Sequence, residues 1–122
     1  MRVQRLTRRA DFERVRVQGQ THGTPLFVAI AARNQDKLAR IGVSAGKRVG
    51  GAVQRNRAKR LLREGVRPLY PAIMPGWDIL FVARSPILEV KSTQLSAVIE
   101  QALRKLGVLA VNAANGTECQ DR

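Results

Sequence analysis

Apolar residues recur along this chain with two spacings, and each spacing predicts a different element. Leu26-Phe27-Val28-Ala29-Ile30-Ala31-Ala32 is a continuous apolar run of strand length. Arg40-Ile41-Gly42-Val43-Ser44 reads as a second strand, expected antiparallel to the first across the polar turn Asn34-Gln35-Asp36-Lys37. Trp77 to Ala83 is the strongest strand signal, and Pro86 closes it. Three other segments carry helical spacing. Thr7 or Ala10-Asp11 caps the first, with Phe12, Val15 and Val17 apolar, Arg8, Arg9, Arg14 and Arg16 exposed, and Gly19 as its end. The second runs from Ala52 to about Tyr70, with Pro68 near its end. The third opens at Ser92 or Thr93, carries Leu95, Val98, Ile99, Ala102, Leu103 and Leu106 as an apolar stripe, and stops at Gly107.

Between these segments, Gln20 to Pro25 is turn-rich, and Gly46, Gly50 and Gly51 bracket a loop carrying Lys47 and Arg48. Residues 108–122 lose periodicity and read as a frayed tail. The expected architecture is one α/β domain over residues 1–107, with a small sheet packed by helices in the order helix, strands, helix, strand, helix. The passage from Ile41 to Phe81 is strand–helix–strand, which allows a parallel pair. A right-handed crossover is its default.

The second helix changes the picture. Ala58, Leu61, Leu62 and Leu69 fall within one arc of about 100°. Arg55, Arg57, Lys59, Arg60, Arg63 and Arg67 fan around the other side, with Asn56 among them. Glu64 is the only acid between Lys47 and Arg67. An ordinary solvated face mixes signs, whereas this one suits a polyanion such as a phosphate backbone. Charge along the whole chain agrees. Residues 1–67 hold 17 of the 22 Lys and Arg and only four acids, while residues 68–122 carry five of each sign. The first part therefore supplies the binding surface and the second completes the core. Arg outnumbers Lys, which favours bidentate phosphate contacts and base stacking, although a GC-rich genome produces the same bias.

Other chemistries find little support. Cys119 is the only cysteine, so neither a disulfide framework nor a thiolate metal site forms within one chain. No apolar run approaches the roughly 20 residues that span a bilayer. The N-terminus lacks the apolar segment of a signal peptide, so a cytoplasmic protein is expected. Gly42 to Arg48 resembles a nucleotide-binding loop but is one residue short between its glycines, and Arg48 replaces the required Ser or Thr. A glycine-rich turn that brings Lys47 and Arg48 to a nucleic-acid backbone is the better reading. His22, the only histidine, reads as a surface residue in a turn. No carboxylate pair is spaced for two metals, and no Ser/His/Asp or Cys/His arrangement exists. Catalytic and metal-ligating residues are thus expected to be absent. Phe12 and Phe27 are candidate base-stacking platforms, with core packing the plainer role for each, and Trp77 is expected in the core.

Taken in order, these segments resemble the bacterial ribonuclease P protein component, the small basic subunit of the ribozyme that processes tRNA 5′ ends. The resemblance runs from Arg5 to Gly107. It begins with Arg5-Leu6-Thr7 and Asp11-Phe12-Glu13-Arg14-Val15, and continues through Arg40-Ile41-Gly42-Val43-Ser44 and Gly46-Lys47-Arg48. It is most specific in Ala52 to Glu64, which contains Arg55-Asn56-Arg57, and extends to Trp77 to Arg84. It implies an α+β sandwich with a left-handed crossover around the basic helix, in place of the default. It implies that this helix lies against the catalytic RNA, through Lys47, Arg48, Arg55, Asn56, Arg57, Lys59, Arg60, Arg63 and Arg67. It also implies a cleft between the first helix and the sheet for the single-stranded 5′ leader of precursor tRNA, with Arg8, Arg9, Phe12 and Arg16 as candidates. The strand Leu26–Ala32 is poorer in aromatics than in many relatives, which leaves Phe12 as the better stacking candidate.

The expected function is a non-catalytic subunit that assists Mg²⁺-dependent removal of the leader. The Mg²⁺ would be bound mainly by RNA, with no organic cofactor, membrane contact or protein oligomer required. A structural RNA-binding protein such as a ribosomal component shares the charge pattern. A protein-only nuclease is disfavoured by the scattered acids.

Overall fold

The computed structural model describes residues 3–35 and 37–110. Its elements run β1 (Gln4–Arg5), α1 (Arg9–Gln18), β2 (Gln20–Gly23), β3 (Phe27–Arg33), β4 (Arg40–Ala45), α2 (Ala52–Val66), β5 (Trp77–Ala83) and α3 (Ser92–Leu106). Short stretches of tighter helix lie at Lys47–Val49, Arg67–Ala72 and Ser85–Glu89. The mixed α/β class and the three long strands follow the apolar pattern.

The five strands form one sheet in the order β1-β4-β5-β3-β2. β4 and β5 pair in parallel across α2, as the strand–helix–strand pattern allows. β3 and β4, however, are not neighbours. β5 lies between them, antiparallel to β3 and parallel to β4. It is apolar at every position except Asp78 and nearly all buried, which suits a central place covered on both faces. The connection after β3 therefore crosses two strand spacings, about 10 Å, rather than closing a hairpin.

β1 and β2 have no apolar run of their own, and the segment read as turn-rich contains β2. Both are edge strands. β2 pairs antiparallel to β3, and β1 pairs parallel to β4. Thr24 shapes the β2–β3 turn: its Oγ1 accepts from the Leu26 and Phe27 amides at 3.2 and 3.0 Å. His22 is therefore in an edge strand rather than in a turn.

Two cores flank the sheet. On one face Phe27, Ala29, Ile41, Val43, Ile79 and Phe81 meet Ala58, Leu62 and Val66 of α2 and the Leu95–Leu106 stripe of α3. Phe27 and Phe81 pack edge to face at 5.4 Å, so Phe27 is core. Gly65 brings α2 against α3, since a Cβ there would stand 2.6 Å from Ile99 Cδ1. On the other face Leu6, Phe12 and Val15 cover Ile30, Ala32 and Leu80.

Four expectations need correction. α2 ends at Val66 rather than Tyr70. Pro68 lacks the amide an α-helix would use, and the chain tightens through Arg67–Ala72. Val17 is 82% exposed, because it sits on the far side of α1 from Val15. Arg14 is not a free surface cation but bonds Asp78. The packed chain also continues past Gly107. Val108 is fully buried, and Leu109 bridges Ile73. The remainder of the expected tail, including Cys119, lies outside the described residues.

Candidate nucleic-acid interface

α2 docks through Ala58, Leu62, Gly65 and Val66 and turns its other side outward. Asn56, Arg57, Arg60, Arg63 and Arg67 are exposed, while Arg55 and Lys59 are half-buried. Lys47 and Arg48 sit exposed in the turn just before the helix, at one end of the same surface. Among the described residues none of these cations forms an ion pair. The Arg55 Nε is buried without a hydrogen-bond partner. Burial, and then the neighbouring charge of Arg5, pushes the Arg63 guanidinium below its ordinary pKa. Positive charge is concentrated here and left without internal compensation, as a phosphate-binding surface requires.

α1 crosses the opposite face of the sheet, and the strand register defines what it covers. Gly42, Leu80 and Ile30 form one row across β4, β5 and β3. This row lies beneath α1. Gly42 is required at its place: a Cβ there would stand 2.9 Å from Phe12 Cε1 and 3.2 Å from Leu6 Cβ. The next row, Ser44, Val82 and Val28, is only half-buried and leaves an open strip beside the helix. At about 100° per residue, Arg9, Phe12 and Arg16 share the flank of α1 away from Asp11 and Arg14. Arg9 and Arg16 are exposed and Phe12 is half-buried. Arg8 departs from this group. It lines a hollow on the Asp11 and Arg14 side, with Arg33 and Arg40.

A polar network that sequence reasoning missed holds α1 in this position. Asp78 is fully buried. Arg40 donates to it twice, from Nε and NH2, at 2.8 Å each. Asn34 Nδ2 donates at 2.7 Å, and Arg14 of α1 adds a further bond. Asp11 lies 3.5 Å from Arg14 and 3.7 Å from Arg40. Burial alone would raise the Asp78 pKa, but the Arg40, Asn34 and Arg14 bonds outweigh it and hold the carboxyl below its ordinary value. The available signal was a lone acid inside an otherwise apolar strand, which demands a partner. Trp77 is half-buried rather than core, and Arg33 stacks on its ring at 4.8 Å. Arg5, exposed and absent from the sequence candidates, adds a further cation whose charge acts on Arg63. It projects from the two-residue β1, which has no pattern of its own.

Comparison with known proteins gives one answer. The family model for ribonuclease P matches residues 1–107. The ribonuclease P protein component of Roseiflexus sp. (strain RS-1) is 49% identical over 109 residues, covering 88% of this chain and 89% of that one. Its counterpart from Dehalococcoides mccartyi (strain ATCC BAA-2266 / KCTC 15142 / 195) is 42% identical over 106 residues, 87% of each chain. Among solved structures, the RNase P protein of Staphylococcus aureus superposes with a TM-score of 0.78 at 29% identity, over 88% of this chain and 99% of that one. That of Thermotoga maritima, solved with 1-(4-fluorophenyl)-2-thiourea, gives 0.72 at 26% identity, over 82% and 98%. With a basic helix, a matching sheet and near-complete coverage in agreement, this chain belongs to the ribonuclease P protein family, the non-catalytic protein component of an endoribonuclease of tRNA 5′ processing.

Proposed function

We propose that this chain binds the catalytic RNA of ribonuclease P through α2 and its preceding turn, and holds the 5′ leader of precursor tRNA beside α1. The carrying observation is the uncompensated cation surface formed by Lys47, Arg48 and the outward residues of α2. Each arginine or lysine that meets a phosphate releases a condensed counterion and screens repulsion between RNA segments. On the other face, Phe12 offers a ring edge to a base, Arg9 and Arg16 offer charge to its phosphates, and the Ser44–Val82–Val28 strip supplies a shallow apolar floor. Positioning the leader there holds the scissile bond in register with the RNA active site.

Mg²⁺, when bound, supplies water activation and charge stabilisation. The carboxylates beside α1 do not suit it, because Asp11 and Asp78 are engaged by Arg14 and Arg40. The ion would therefore rest mainly on RNA phosphates. No helix among the described residues is long and apolar enough to cross a membrane. A cytoplasmic site of action accords with an RNA substrate.

The test adds purified protein to ribonuclease P RNA and precursor tRNA at low Mg²⁺, beside a protein-alone control. The expected result is 5′ cleavage only when both RNA and protein are present. Failure to restore cleavage would point to a structural RNA-binding role. Cleavage without RNA, lost on an acid-to-Ala change, would make the protein a nuclease.

A further inference from the structure

Two unlike sets of contacts hold α1 over the sheet. Val15, fully buried, packs with Ile30, Ala32 and Leu80. Such apolar contacts are non-directional and leave a ten-residue helix free to roll about its axis. The polar contacts fix that roll. Arg40, Asp78 and Ala32 form the row next to Gly42, Leu80 and Ile30, on the same face. Arg14 reaches down to this row. It bonds the buried Asp78 carboxylate, and its NH1 donates to the Arg33 carbonyl at 2.8 Å. Among the described residues Arg14 carries the hydrogen bonds that α1 side chains make to the sheet. Asp78 is held in turn by Arg40 and Asn34. Tyr70 OH donates to the Ala39 carbonyl at 2.5 Å, which ties the residue before Arg40 to the core on the other face. Phe12 stands on the opposite flank of α1, its ring over Gly42. A roll that lifts Arg14 therefore lowers Phe12.

We propose that Arg14 and Asp78 are positioning residues for leader recognition: they set the roll of α1 and so hold the Phe12 ring edge at the Ser44–Val82–Val28 strip. The inference rests on the leader-binding reading. Neither residue meets the leader, because Asp78 is fully buried and Arg14 lies on the far flank of α1. Arg14 is the better place to test the idea. Without it Asp78 keeps its bonds from Arg40 and Asn34, and Asp11 keeps its ion pair with Arg40. The sheet thus retains its buried charge pair while α1 loses its pin.

The test assembles the full-length protein with ribonuclease P RNA and measures affinity for precursor and mature tRNA over a range of salt. Arg14→Gln should lower the preference for precursor by roughly fivefold, the lower end of a lost base stack, and leave the salt slope unchanged. Lys105→Gln, which removes the same charge from the exposed end of α3, should leave the preference as it is. Ring placement is read separately, in protein labelled with 4-fluorophenylalanine. The three phenylalanines give three ¹⁹F lines. Only the Phe12 line should move in Arg14→Gln, because Phe27 and Phe81 are packed in the other core. A flattened salt slope would make Arg14 a phosphate ligand and overturn the proposal. An unmoved Phe12 line would overturn it too, as would three lines moving together, the mark of general loosening. Phe12→Ala is measured alongside. A preference lowered by Phe12→Ala but kept by Arg14→Gln sinks the positioning role alone. A preference kept by both sinks the leader reading and the proposal with it.

Discussion

Replacing Asp78 by Ala is expected to cost about 3 kcal/mol of folding stability, at the lower end of the roughly 3–5 kcal/mol for removing one partner of a buried pair. The wild-type carboxylate is fully buried and accepts bonds from Arg40, Asn34 and Arg14. The variant leaves two guanidiniums facing each other without their shared anion. The estimate is kept low for two reasons. The Arg14 and Arg40 side chains retain 26% and 24% exposure, so water reaches them. Asp11, 3.5 and 3.7 Å away, remains as a second anion. For a domain of this size the loss lowers the melting temperature by roughly 10–15 °C, measured by circular dichroism. Replacing Asp78, Arg14 and Arg40 together by Leu, Met and Met should recover most of it, because no unpaired charge remains.

Acid should act through the same residue. The folded carboxyl binds its proton more weakly than an ordinary one at 3.8, so its stabilisation is complete above that pH. It fades as pH falls further, through the lower folded value. Asp78→Asn should therefore lose less stability than wild type between pH 4 and pH 2. An Asp78→Ala protein that melts within about 1 kcal/mol of wild type would show that the network does not anchor α1.

Replacing Arg55, Lys59 and Arg63 by Ala should weaken RNA binding and flatten its salt dependence by roughly 0.7–0.9 in log–log slope per lost phosphate contact; an unchanged slope in filter binding would remove α2 from the interface. Phe12→Ala should reduce affinity for precursor tRNA by about 1–3 kcal/mol while sparing mature tRNA; equal loss for both RNAs with a lowered melting temperature would make Phe12 a packing residue only. Gly42→Ala should push the Phe12 ring outward and destabilise by about 1–3 kcal/mol, because an aromatic ring and the Leu6 Cβ yield poorly; a neutral melt would show that α1 shifts freely.

What the sequence makes legible depends on whether an element carries its own pattern. β5 and α3 do, with a seven-residue apolar run and a stripe closed by Gly107, and both were located nearly to the residue. The cation fan of α2 is equally plain, since helical spacing alone separates Leu62 from Arg60. β1 and β2 are set by partners distant in sequence, and Gln4 or Thr21 gives no local sign of a strand. The exchange of neighbours between β3, β4 and β5 is likewise a property of the whole sheet. Of the leader-cleft candidates that the resemblance implied, Arg9, Phe12 and Arg16 share one flank of α1 by helical spacing, whereas Arg8 lies with Asp11 and Arg14. The Asp78 network joins four separated segments, and only its lone acid was visible.

The place of β5 has a consequence for how the chain is made. Synthesis delivers the whole of the net positive charge first, in residues 1–67, together with β3 and β4, the two strands that flank a gap. The strand that fills the gap arrives only with Trp77–Ala83. Until then neither face of the sheet is continuous, so α1 and α2 have no complete surface on which to dock. The nascent basic half is thus an open polycation in a ribosome built of RNA, and its compaction waits on its nearly neutral second half. Long-range pairing of this kind is slow to form. A fragment ending before Trp77 should stay unfolded and bind RNA indiscriminately, whereas one extended through Ala110 should gain both the fold and selectivity.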